Sequence, residues 1–347
     1  MALRWQKAVG MLQEYRVIRD GSIYPTSFTD SYLFSSEYER AQKMKCDLIR
    51  KFAGSSLEEV FAGQEVETDA GTAYLIESRH SISLQLPARE EIRSDLRLVH
   101  GIGPVTERRL RSRGYHSLQD LLKHPLYKEG ASKVLSWMEE RDHCSLMNWI
   151  RHRHSASDGR VFQVASQLQP EQFLFFDIET LGIFSRPIIL LGLARVIGGQ
   201  ALVSQYLLRQ AEEEPGTLAA ALEDLNREEA VYVTYNGKSF DVPFLQERAA
   251  YYGIPFLAGA PHFDLLPFSR RRWRNTFANC KLTTLERHLF GIQRETDIPS
   301  PMVPEFYESY YTTGNPGPLV PIVEHNRQDV LTLIRIFSHL AGEGVCP

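Results

Sequence analysis

The sequence predicts an α/β fold, a mixed sheet flanked by helices over residues 170–342, behind a mainly helical N-terminal region. Two observations carry this. From residue 170 onward, short runs rich in Phe, Leu, Ile and Val lead with a hairpin and then alternate with helical patterns. Between residues 96 and 154 the helical period dominates, broken by glycines and a serine at the positions where helices stop and start.

Taken in order, residues 1–95 have no assigned role. Within them Ser36 to Phe52 fits an amphipathic helix, and Glu65 to Leu84 alternates around Asp69-Ala70-Gly71 as a hairpin does. Residues 96–154 are more explicit. Leu96 to Val99 leads to His100-Gly101-Ile102-Gly103-Pro104, and a helical pattern follows through Arg108, Arg109 and Leu110. Gly114 ends that helix, and Ser117 is a cap for Leu118 to Leu122. This run resembles a helix-hairpin-helix nucleic-acid-binding motif. The resemblance implies that the Gly101 and Gly103 backbone approaches a phosphate, helped by the next helix N-terminus and by Arg108 and Arg109. Ala131 to Arg141 and Cys144 to His152 read as helices, and the polar stretch 155–169 as a linker.

In the domain at 170–342, Gln172 to Ile178, Pro187 to Ile197 and Ala201 to Arg209 read as strands, the last two joined at Gly198-Gly199. Thr217 to Arg227 is helical, Ala230 to Tyr235 a strand, Val242 to Tyr252 a helix and His262 to Leu266 a short strand. Thr283 to Phe290 and Leu319 to Leu340 close the pattern as helices.

The 347 residues suggest two domains, and 43% hydrophobic with 24% charged residues is ordinary for a soluble globular protein. A net charge of −4 excludes a general polyanion-coating protein. Local basic runs remain, at Arg108 to Arg113 and at Arg270 to Arg274, where Trp273 interleaves with arginines; base stacking and a plain anchored loop both fit the latter. The four cysteines show no metal-ligand spacing, so a reduced, cytoplasmic setting is expected. Met1 to Tyr15 holds charges and no long apolar run, so neither a signal peptide nor a membrane partner is expected.

Four acidic residues carry the chemistry. Asp177 and Glu179 end the apolar run Phe173 to Phe176, two apart and therefore on one face of a strand. Asp241 ends Asn236-Gly237-Lys238-Ser239-Phe240-Asp241, and Asp329 follows His325 by one helical turn. Singly, Asp241 could be a helix cap, Asp177 a strand-end residue and Asp329 a solvated helix position. Together they are costly carboxylates at the end of an apolar strand, and two Mg2+ or Mn2+ ions would neutralise them. Asn236 fits either a substrate contact or the turn itself.

Residues 172–340 resemble the ribonuclease-H-like fold of the DEDD 3′–5′ exonuclease superfamily, in the YprB-type subgroup. Asp177 and Glu179 match its first motif, Asn236 to Asp241 its second and Asp329 its third. His262-Phe263-Asp264-Leu265-Leu266 and His325-Asn326 with Asp329-Val330 fit the subgroup. One departure is that His325 lies four residues before the last aspartate, where histidine-bearing members place it five before; it is left as either a base or a group that orients water. The resemblance implies two-metal hydrolysis of phosphodiester bonds. Asp177 would bridge both ions, Glu179 and Asp329 would hold the one that activates water, and Asp241 would support the second. The expected activity is a metal-dependent 3′–5′ exonuclease on DNA or RNA, DNA ahead of RNA, at a single-stranded end or structured duplex. The rival is a nucleic-acid-binding protein with weak or no nuclease activity. A metal-dependent phosphatase or nucleotide hydrolase on the same fold ranks last, since it leaves the helix-hairpin-helix without a task.

Overall fold

The computed structural model describes residues 28–155, 157–182, 186–257, 259–294 and 297–342. The readings made of Met1 to Tyr15 and of Cys346 fall outside them.

Helices α1 (Phe28–Lys51) and α2 (Leu57–Phe61) lead into strands β1 (Gln64–Thr68) and β2 (Gly71–Ser81). The expected N-terminal hairpin is therefore present, and it does not stand apart. β2 pairs antiparallel with β5 (Gln200–Leu207), so the hairpin forms one edge of a seven-stranded sheet ordered β1, β2, β5, β4 (Ile188–Ile197), β3 (Phe173–Thr180), β6 (Val231–Thr234) and β7 (His262–Asp264). Alternation alone could not show which strand this hairpin would join.

Next come α3 (Arg89–Ser94), α4 (Pro104–Arg111), α5 (Leu118–Leu121), α6 (Lys128–Glu139) and α7 (His143–Arg151). The turn at Gly101 sits between a three-residue 3-10 turn, Leu96–Leu98, and α4, so the element before it is shorter than a full helix. Gly101 has φ +83° and Gly114 φ +88°, values that favour glycine. Ser117 and Asp120 close a capping box on α5.

The stretch 155–169 holds α8 (Gly159–Gln163) and a 3-10 turn, and Val161, Phe162, Val164, Ala165 and Leu168 are buried. It packs in rather than running over the surface as a linker. Phe162 meets Phe263, Phe268 and Phe337. The polar residues at 155–158 hide this apolar run when composition is averaged.

β3 (Phe173–Thr180), β4 (Ile188–Ile197) and β5 (Gln200–Leu207) form an antiparallel meander, and the β4–β5 loop is Gly198-Gly199, both left-handed at φ +57° and +78°. α9 (Glu214–Leu225) then crosses to β6 (Val231–Thr234), parallel to β3, and α10 (Asp241–Tyr252) to β7 (His262–Asp264), parallel to β6. α11 (Leu265–Trp273), α12 (Leu282–Leu285) with its π-turn Glu286–Phe290, α13 (Val303–Thr313) and α14 (Val320–Gly342) follow. The expected mixed sheet flanked by helices is what forms.

β3 is covered on both sides, which is why it reads as an unbroken apolar run. Phe173 and Phe175 share a core with α14 through Val330, Ile334 and Phe337. Leu174, Phe176 and Ile178 face α9 and α10. α11 is a helix where the arginine run suggested a loop, and Trp273 is buried beside Phe277 and His339, so it cannot stack on a base. Among the described residues no helix is long and apolar enough to cross a membrane.

Candidate active site

Asp177 and Glu179 continue the Phe173–Phe175 face of β3 toward α14. Beyond Glu179 the β3–β4 register shifts, so the regular ladder ends where the carboxylates emerge. The β3–β6 pairing runs only from Phe173 to Phe175. Farther along, the Ile178 N–H donates to Asp241 Oδ1 at 3.2 Å, bringing the first residue of α10 to the same strand end. α14 supplies His325 and Asp329 from one helix face. The structure thus brings together Asp177, Glu179, Asp241, His325 and Asp329.

Asn326, beside His325, holds the first carboxylate. Its Nδ2 donates to the Asp177 carbonyl and to Asp177 Oδ2, both at 3.0 Å, and its Oδ1 accepts from Gln205 Nε2 at 3.0 Å. The side chain is fully buried, and β4 makes room for it with Gly192: a Cβ there would lie 2.0 Å from Asn326 Oδ1.

Burial raises the Asp177 carboxyl well above its usual range, and Asp329, Asp241 and Glu179 push it further, against the Asn326 bond. Burial likewise raises Glu179 to about 7, with His325 opposing, and Asp241 to about 7, with amide hydrogen bonds opposing. For His325 burial acts downward, but Asp329, the bond to Asp297 and Glu179 outweigh it and raise the imidazole to about 9. Its Nε2 stands 3.4 Å from Asp329 Oδ2 and 3.9 Å from Glu179 Oε1.

Three residues that the motifs do not contain complete this side. Arg294 bonds Glu286 at 2.7 and 2.8 Å and also holds Asp329. Asp297 Oδ1 lies 2.5 Å from His325 Nδ1.

Among the described residues no three His, Cys, Asp or Glu side chains are arranged as a ready metal cage. The carboxylates are turned instead to Asn326, Arg294, His325 and the Ile178 amide. The donor set nevertheless fits a hard cation, being four carboxylates, of which burial opposes the charge of Asp177, Glu179 and Asp241.

The second motif is a braced turn. Asn236 has φ +68°, a left-handed conformation that asparagine tolerates, and its N–H donates to Asp264 Oδ1 at 2.8 Å. Asp264 Oδ2 accepts from the Lys238 N–H at 3.3 Å. Thr234 Oγ1 accepts from the Gly237 N–H and lies 2.8 Å from His262 Nε2. Burial, then Lys238 and Arg151, lower the His262 imidazole to about 3. The Asn236 side chain is exposed at the end of this turn.

Gly101 and Gly103 lie at the N-terminal end of α4, and Arg108 and Arg109 in its last turn. Arg108 and Arg109 are exposed, whereas Arg111 bonds Glu107 and the Ser94 carbonyl. A Cβ on Gly103 would meet nothing within 4 Å, so internal packing does not require glycine there.

Comparison with known proteins agrees with this architecture. The Uncharacterized protein YprB of Bacillus subtilis (strain 168) is 34% identical over 172 residues, which is 48% of this chain and 41% of that protein. The match therefore covers about two fifths of the length of that relative. The family B DNA polymerase from the hyperthermophilic archaeon Pyrobaculum calidifontis aligns at TM-score 0.40 and 18% identity, over 50% of this chain and 25% of that one, a likeness too distant to argue from. A family model, that of the RNase_H superfamily, matches residues 174–341, and this segment, with all four carboxylates and His325, is thus an RNase_H superfamily domain.

Proposed function

We propose that the protein is a metal-dependent nuclease, a 3′–5′ exonuclease that hydrolyses phosphodiester bonds of DNA or RNA. The observation that carries this reading is the convergence of half-buried Asp177 with buried Glu179, Asp241 and Asp329 from β3, α10 and α14. Buried carboxylates this close oppose one another's charge and call for cations. The match of residues 174–341 to the RNase_H superfamily supports the same class of chemistry.

Asp177, Glu179, Asp241 and Asp329 would hold two divalent cations, Mg2+ or Mn2+. Bound there, such ions stabilise the attacking and leaving oxygens of a phosphodiester. Asn326 keeps Asp177 in its orientation through two hydrogen bonds. Asp241, tied to the Ile178 amide, stays fixed to the strand end. His325 Nε2, facing Glu179 and Asp329, accepts the proton of the attacking water. That role requires the neutral imidazole, which the cluster alone disfavours and which added positive charge would favour.

The Gly101–Gly103 turn with Arg108 and Arg109 would hold the phosphate backbone, without reading sequence. Open space at Gly103 and the exposed arginines support this. Asn236 would contact the strand entering the site.

Time courses on 5′-end-labelled single-stranded and duplex DNA and RNA test the reading. The expected result is a ladder of labelled products shortening from the 3′ end. Immediate release of labelled mononucleotide would reverse the polarity, and internal cuts would make it an endonuclease. Binding with no cleavage of any substrate would overturn the nuclease assignment.

A further inference from the structure

We propose that Asp297 is the positioning residue of His325, and that Arg294, clamped by Glu286, holds this aspartate and Asp329 in one brace. The inference rests on the nuclease reading only in assigning His325 a proton to accept; the brace itself is geometric.

Two groups compete for His325 Nδ1. Asp297 Oδ1 is 2.5 Å away, and Arg294 Nη1 is 3.1 Å away. If Nδ1 accepted from the guanidinium, it would carry no proton and would face a carboxylate oxygen at 2.5 Å, lone pair against lone pair. A proton on Nδ1 removes that repulsion and makes a charge-assisted bond to Asp297. Nδ1–H therefore donates to Asp297, and Arg294 is a neighbour of the ring rather than its donor. The Asp297 carboxyl is held below its usual range accordingly: burial pushes it up, but the bond and charge of His325, and then Arg294, outweigh that.

With Nδ1 committed, Nε2 is the nitrogen turned to Asp329 and Glu179. A carboxylate that orients an imidazole in this way is how many proton-transfer sites fix which nitrogen meets the substrate. Arg294 keeps the carboxylate in place. Its Nη1 lies 3.6 Å from Asp297 Oδ1, and its Nη2 holds Asp329 Oδ1. The guanidinium is itself immobilised by the paired bonds to Glu286, which is 1% exposed and also accepts from Gln328 and Thr332. One rigid cation thus sets Asp329 and, through Asp297, the ring of His325.

The test compares Asp297→Ala with Asp297→Asn, whose amide oxygen still accepts from Nδ1–H. Asp297 is partly exposed, so neither change should unfold the chain, and circular dichroism melting checks this. The first readout needs no activity. Proton NMR of the metal-free protein should show a strongly hydrogen-bonded imidazole N–H far downfield of the amides. It is assigned by its loss in His325→Gln. It should vanish in Asp297→Ala and persist, shifted, in Asp297→Asn. The second readout is turnover: Asp297→Ala should lower kcat by about 10- to 100-fold with KM unchanged, and Asp297→Asn should recover most of it. Manganese binding, measured by calorimetry, should be unaltered in both. A downfield proton that survives in Asp297→Ala, or equal kcat in all three proteins, overturns the proposal. A proton that behaves as expected in a protein that cleaves nothing would leave the brace standing and overturn the nuclease reading instead.

Discussion

Gly192→Ala should damage the carboxylate site from behind the sheet. The added Cβ would lie 2.0 Å from Asn326 Oδ1, 2.8 Å from its Cγ and 3.0 Å from its Nδ2. Carbon against oxygen needs more than 3 Å, so one side must yield by about 1 Å. β4 cannot, since it is paired along its length to β5 on one side and to β3 on the other. Asn326 is fully buried on α14 and must turn away, breaking its bonds to Asp177 and Gln205. At about 1–3 kcal/mol for each buried polar group left unpaired, losing two of them destabilises the protein by about 2–6 kcal/mol. A shift of about 1 Å in the carboxylate should also cost about 100-fold in cleavage. Urea unfolding and a cleavage time course measure both. Asn326→Ala is the control, because it removes the atoms that the new Cβ would strike. The double variant should therefore be no less stable than Asn326→Ala alone, an interaction energy of opposite sign to the single effects. Wild-type stability and rate in Gly192→Ala would refute the packing argument.

Other consequences can be checked with equal economy. Burial raises Glu179 and Asp241 to about 7 from ordinary values near 4, so the folded protein binds their protons more tightly than the unfolded chain does. Their contribution to metal-free stability is then fully present below about pH 4 and is lost as the pH rises through 7. Melting in EDTA should show this loss relative to a Glu179→Gln variant, and Mg2+ or Mn2+ should raise the melting temperature more at pH 8 than at pH 5; a pH-independent difference would contradict it. Gly103→Val should leave the melting temperature unchanged, because the site is open, and should weaken duplex binding more than it slows cleavage of a short single strand. Equal loss in both assays would make the turn a structural element only.

Much of this was legible before folding because the informative residues obey short periods. Asp177 and Glu179 share a face through the two-residue strand repeat, and His325 and Asp329 through one helical turn. The meander and both crossovers followed from Gly198-Gly199 and from the alternation of apolar runs. What escaped depends on contacts between distant segments. Arg294 and Asp297 lie in 291–318, where the pattern shows no element, and their partners Asp329 and His325 are on α14. Gly192 looks like an ordinary strand glycine until Asn326 is set against it. α13 carried its signals in Pro304 in the first turn and Gly314 at φ +69° after the last, but its tyrosines masked the helical stripe. α11 was obscured by Pro267, which costs little in a first turn whose N–H groups have no helical partner.

The decisive measurement is the rate of oligonucleotide cleavage against Mn2+ or Mg2+ concentration, for the wild type and for Asp177→Asn, with EDTA as the zero point. Cleavage should rise with metal, vanish in EDTA and be abolished in Asp177→Asn while that variant melts as a folded protein. Cleavage that persists in EDTA, or that Asp177→Asn retains in full, would contradict the assignment of these carboxylates to a metal-dependent nuclease site.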